Sequence, residues 1–109
     1  MTLDQLRCLC AVVETRSFRL AAERLFRSQP AVSLQLKTLE QICGQKLIER
    51  KRCVPTPAGK RLYERALGIL ANVESAVKEV KDFDDAATQS LRAGAGDTTA
   101  LYILPSVLQ

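Results

Sequence analysis

The stretch Ser28-Gln29-Pro30-Ala31-Val32-Ser33-Leu34-Gln35-Leu36-Lys37-Thr38-Leu39-Glu40 decides how the rest of the chain is read. At about 100° per residue it has one apolar face and one polar face. Val32, Leu36, Leu39 and Cys43 recur at helical spacing, so they share a narrow stripe that predicts burial. Pro30, Ser33, Leu34, Lys37 and Gln41 fall on the opposite arc. Ser28 is placed to cap the helix, Pro30 lacks an N–H that a first turn does not need, and Gly44 suits the left-handed stop. A short cationic helix with small residues at its N-terminal end fits a DNA major groove. Taken alone, the stretch fits an ordinary surface helix equally well. The preceding residues decide between the two.

Thr2-x-x-Gln5 forms a capping box. The helix it opens carries Leu3, Leu6, Leu9, Cys10 and Val13 on one side and stops near Glu14. Ser17 caps a second helix, with Phe18, Ala21, Ala22 and Leu25 facing inward. The paired alanines let another helix cross closely. Two helices joined by a short turn, with the Ser28 helix second, predict a helix-turn-helix.

Beyond Gly44 the period shortens. Residues 46–50 read as a strand, Lys51-Arg52 as a turn and Cys53-Val54 as the returning strand. Beside a helix-turn-helix such a hairpin is a wing. The cations at its tip, Arg50 and Arg52 among them, suit a DNA backbone or minor groove, although plain solvation is the commoner role of an isolated charged tip. Thr56-Pro57 then starts a helix that the periodicity carries to about Ala87. Leu62, Ala66, Ile69, Val73, Ala76, Val80 and Phe83 alternate spacings of four and three, a heptad seam. So long a seam predicts a second copy of the same helix as its cover, with the remainder of a larger chain as the alternative. The expected organisation is a winged helix-turn-helix over 1–58, a dimerising linker helix over 59–88, and over 89–109 the opening of a further domain. In that last segment Ser90–Asp97 reads as a short strand and turn, followed by a helix start. The fold class is mainly α.

Charge divides along the same line. Residues 1–65 hold thirteen basic and six acidic side chains, a net of +7; residues 66–109 hold three and six, a net of −3. A basic front and an acidic rear predict a polyanionic partner for the front alone. No apolar run approaches the roughly 18 residues of a membrane span, and the N-terminus has no signal-like basic and apolar blocks, so a cytoplasmic location is expected. There is no histidine, phosphate loop or framed carboxylate pair, which leaves an enzyme without residues. A zinc site would need all four cysteines (Cys8, Cys10, Cys43 and Cys53) from separate elements. They read instead as small hydrophobes, and no metal or cofactor is expected.

The order of these features resembles the N-terminal part of LysR-type transcriptional regulators. The match covers residues 1 to about 87. It rests on Leu3-x-x-Leu6, Val13-Glu14-Thr15, Ser17-Phe18-x-x-Ala21-Ala22-x-x-Leu25, Ser28-Gln29-Pro30-Ala31-Val32-Ser33, Leu39-Glu40, Gly44, Leu47, Arg50 and Thr56-Pro57-Ala58-Gly59. The tail, with Leu104-Pro105, is similar to the start of that family's effector-binding domain. The resemblance implies a dimer on double-stranded DNA, with a small-molecule effector bound only through a domain largely missing from these residues. It implies DNA contacts from Gln29, Pro30, Ser33 and Lys37 on the recognition helix and from Arg50 and Arg52 on the wing. Ser17, Arg27 and Thr56 are its phosphate partners. Some positions depart from the pattern: Leu34 stands where arginine is frequent, Ile48 where phenylalanine is, Cys8-Leu9 replace an aromatic pair, and the wing is about two residues short. On a groove-facing surface, the base partner of Leu34 would be a thymine methyl. The competing reading is a protein-interaction module whose basic front docks an acidic partner. It predicts a shallower salt dependence and no duplex preference.

Overall fold

The computed structural model describes the backbone of residues 1–93 and the side chains of residues 1–83. Helices α1 (Leu3–Thr15), α2 (Phe18–Leu25) and α3 (Gln29–Cys43) precede a two-stranded hairpin, β1 (Ile48–Glu49) and β2 (Val54–Pro55), and a long helix, α4 (Pro57–Ala93). Their ends are written locally. Thr2 Oγ1 accepts from Gln5 N–H at 3.1 Å and Gln5 Oε1 from Thr2 N–H at 3.0 Å, and Ser17 Oγ accepts from Leu20 N–H at 3.0 Å. Arg16, Phe26 and Gly44 end the three helices in the left-handed conformation. The hairpin is antiparallel, pairing Ile48 with Pro55 and Glu49 with Val54.

One core joins Leu9 and Val12 of α1, Ala21 and Ala22 of α2, Val32, Leu36 and Leu39 of α3, and Leu47 and Ile48 from the wing. A second, smaller cluster lies along α1 and the first turns of α4. There Leu6, Cys10 and Ala66 are buried, with Leu3, Leu62, Tyr63, Ile69 and Leu70 around them. Packing against both clusters, α1 has more than the single apolar side its periodicity suggests. Of residues 5–12 only Arg7 is exposed. Cys8 and Cys10 are buried, and burial, helped by the Glu14 charge, pushes the Cys10 thiol up to about 11.

Tyr63 of α4 donates to Glu14 at 2.8 Å, and Arg24 of α2 pairs with the same carboxylate. Partial burial pushes Glu14 up, but those two donors outweigh it and hold the carboxyl below its ordinary range. Gly59 is buried because α4 crosses the chain just before the wing. A Cβ built on it would lie 1.9 Å from the Leu47 carbonyl oxygen.

Several expectations from the sequence are corrected. Cys43 is exposed, because the inward stripe of α3 ends on the buried Glu40 and the chain reverses at Gly44. The hairpin strands are two residues each, with a turn over 50–53. Cys53 belongs to that turn, at φ 55, not to the returning strand. Residues 90–93 continue α4 as helix instead of forming a strand, since no breaker intervenes before Gly94. The rest of the expected second-domain opening lies outside the described residues.

The linker seam has different surroundings along its length. Leu62 and Ile69 are half-buried and Ala66 fully buried against α1 of the same chain. The first compact unit runs from Met1 to Asn72. The second unit starts at Val73 and contains the rest of α4. In it Ala76, Val80 and Phe83 are exposed, and Val73 is half-buried. No helix among the described residues is long and apolar enough to cross a membrane.

Candidate nucleic-acid interface

Helix α3 is fixed from behind by Val32, Leu36 and Leu39, all fully buried. Its N-terminus is set by Ser28, whose Oγ accepts from Ala31 N–H at 3.2 Å, and by Pro30 in the first turn. This anchoring leaves Gln29, Pro30, Leu34, Lys37 and Gln41 exposed on the opposite arc, with Ser33 half-buried at its margin. Leu34 is 61% exposed. Among the described residues, Gln29, Ser33 and Lys37 make no side-chain hydrogen bond or ion pair. The face has donors, acceptors, a cation and an apolar tip, and none of them serves the fold.

The wing is built differently. The buried Glu40 carboxylate accepts from Leu47 N–H at 2.8 Å and Ile48 N–H at 3.2 Å, and pairs with Arg50 at 3.0 Å. Burial pushes its carboxyl up, but the two backbone N–H groups and Arg50 prevail and hold it below its usual range. Arg50 also lies over the Phe18 ring, 5.0 Å from its centroid. Its charge therefore joins α2, α3 and the wing, and the hairpin tip does not carry three equivalent cations. Arg52 is mostly exposed, only loosely paired with Glu49 at 3.7 Å, and Lys51 is exposed with no ion pair among the described residues.

The flanking residues divide in the same way. Ser17 accepts a capping hydrogen bond and keeps a hydroxyl proton to give. Arg27 is paired with Asp4 of α1. Thr56 Oγ1 accepts from Gly59 N–H at 3.0 Å and donates to Lys46 carbonyl at 2.6 Å, so its proton is committed inside the fold. The expected site residues thus fall into two kinds: those free on α3 or, at Arg52, only loosely paired with Glu49, and those held by the fold at Arg27, Arg50 and Thr56.

Glu40 is a residue sequence reading did not single out for this site. The available signal was a carboxylate one residue past the core Leu39, ahead of a wing whose first N–H groups need acceptors. Among the described residues no group of three or more potential metal ligands comes together.

Residues 3–60 match the family model described as bacterial regulatory helix-turn-helix protein, lysR family. The chain belongs to the LysR family. The curated relatives it resembles include a probable RuBisCO transcriptional regulator of Gracilaria tenuistipitata var. liui, 39% identical over 98% of this chain. Another is a probable hydrogen peroxide-inducible genes activator of Streptomyces viridosporus, 41% identical over 99%. The chain spans about a third of their length, 35% of each. Among solved structures, the BenM DNA-binding domain in complex with benA site 1 DNA superposes with a TM-score of 0.73 at 40% identity. That alignment covers 77% of this chain and 97% of that one. Corynebacterium glutamicum OxyR, as a C206 mutant, gives 0.70 at 40% identity over 73% of this chain and 26% of that one. The winged helix-turn-helix of this LysR-family chain is therefore the unit shared with those proteins.

Proposed function

We propose that this chain is the DNA-binding end of a cytoplasmic transcriptional regulator that reads double-stranded DNA as a dimer. The observation that carries this reading is the α3 face of Gln29, Pro30, Ser33, Leu34 and Lys37, fixed from behind and unemployed in front. In this reading α3 enters the major groove, with Leu34 against a thymine methyl. Ser17 donates to a phosphate, and Arg52 and Lys51 lie along the backbone or minor groove. Arg27, Arg50 and Thr56 hold the elements that present these groups. Dimerisation uses the exposed part of the seam, Ala76, Val80 and Phe83, and spaces two α3 helices for half-sites one helical turn apart or a multiple. Effector recognition belongs to the remainder of a full-length regulator. The chain acts as a regulator and not as an enzyme.

The test is selection of genomic fragments by the purified chain, followed by titration of a selected and a random duplex across salt. A steep fall of log K with log salt and a clear preference for the selected duplex are expected. A shallow slope without preference would overturn the proposal in favour of an acidic protein partner. Within a selected site, replacing one thymine by uracil should cost the native chain about 1 kcal/mol and Leu34→Ala nothing further. Equal responses of both proteins at every thymine would remove Leu34 from the specificity set.

A further inference from the structure

Phe26 is the most exposed large apolar side chain among the described residues, at 95%, and one of three non-glycine residues with positive φ, at 56°. These are independent oddities. The backbone explains the second of the two only in part: α2 closes with Phe26 N–H on Glu23 carbonyl at 3.2 Å and Arg27 N–H on Ala22 carbonyl at 2.9 Å. That closing pattern needs a left-handed residue, a place that glycine or asparagine fills with less strain than an aromatic. The phenyl ring adds nothing to the turn, and its exposure means it packs on nothing in the fold. Its neighbours are both occupied: Arg27 is held to Asp4 of α1, and Ser28 caps α3.

The position supplies the missing partner. Phe26 precedes the Ser28 cap by two residues, a span of at most about 7 Å of chain. A major groove about 12 Å wide that receives Gln29 and Pro30 brings a sugar–phosphate strand to roughly half that distance on either side of them. A side chain just outside the helix start is then at the lip of the groove. We propose that Phe26 packs on the deoxyribose wall of the DNA groove beside the α3 N-terminus. This inference rests on the DNA-binding reading above and adds a sequence-tolerant apolar contact to its polar and cationic ones. It also gives the strained, solvent-facing ring a role that a glycine could not fill.

The experiment compares the native chain with Phe26→Asn and Phe26→Trp on a mixed-sequence duplex. Asparagine keeps the left-handed turn without the ring. Covering about 40 Å² of the ring corresponds to a loss of about fivefold in Phe26→Asn. That loss should come with an unchanged slope of log K against log salt, because no phosphate partner is removed. Its unfolding midpoint should equal or exceed the native one. The chain has no tryptophan, so in Phe26→Trp the single indole reports directly. Its emission should shift to shorter wavelength, or be quenched, on saturation with duplex. Native affinity in Phe26→Asn, a shallower salt slope, or indole emission indifferent to bound duplex would each overturn the contact. Failure of the native chain itself to bind duplex would bring down the DNA-binding reading, and this one with it.

Discussion

The two ends of α4 carry one apolar period and meet opposite surroundings. Over Leu62, Ala66 and Ile69 the stripe lies on α1, and Ala66 has no exposed surface. Over Ala76, Val80 and Phe83 the same stripe is exposed, with Val80 at 71% and Phe83 at 69%. Heptad spacing thus identifies a surface that needs cover but not the molecule that covers it. The first end is largely packed within the domain, whereas the second leaves its apolar side chains exposed. The wing tip repeats the lesson with charge: Arg50 is consumed by Glu40, while Arg52 is left outside.

The sharpest way to break this comparison is a lysine at each end. Ala66→Lys forces a long cation between Leu6 and Cys10, and overpacking with a buried charge should cost about 3 kcal/mol or more, enough to lower the thermal midpoint severely. Val80→Lys with Phe83→Lys should leave the midpoint of the winged domain unchanged and shift sedimentation from dimer to monomer. Equal destabilisation by the two changes would erase the distinction.

Glycines offer a finer contrast within the same helix. Gly59→Ala places a methyl against the Leu47 carbonyl and should cost about 1–3 kcal/mol in denaturant titrations. Gly68, with nothing within 4 Å of its Cβ position, should gain about 0.5–1 kcal/mol as alanine. A gain at both positions would mean that α4 does not approach the wing so closely.

A smaller effect comes from pH. Glu40 and Glu14 are both held below the ordinary glutamate value of 4.5 in the folded chain. The stability they contribute is therefore complete above the unfolded value and is lost as pH falls through the lower folded values. Glu40→Gln removes the charge but keeps an acceptor. The variant should be less stable than the native chain at neutral pH and should show a weaker loss between pH 4.5 and acid unfolding. Parallel acid profiles for the two proteins would show that Glu40 does not carry that dependence.

What the sequence made legible is what short-range chemistry determines. The Thr2–Gln5 box, the Ser17 and Ser28 caps, Pro30 and the Gly44 stop all act within a few residues, and each is found where residue type and spacing put it. So is the buried stripe Val32, Leu36 and Leu39. Less legible were features that depend on a distant partner. Arg50 looks like any tip cation until Glu40, ten residues earlier, is seen beneath it. Thr56 reads correctly as a cap, but its second bond to the Lys46 carbonyl depends on how the wing folds back. Cys43 continues the α3 stripe in spacing, and only the end of the core behind it leaves the thiol exposed. Phe26 carries no sign in its residue type that it takes a left-handed turn.

The central claim is that the fold divides its cations into those it uses and those it offers to DNA. The most direct measurement is the salt dependence of duplex binding for Arg50→Ala and Arg52→Ala beside the native chain. Arg52→Ala should make the slope of log K against log salt shallower by roughly one unit with little change in stability. Arg50→Ala should keep the native slope and lower the unfolding midpoint, because it leaves the Glu40 carboxylate without its cation. A slope lost at Arg50 and retained at Arg52 would contradict the account.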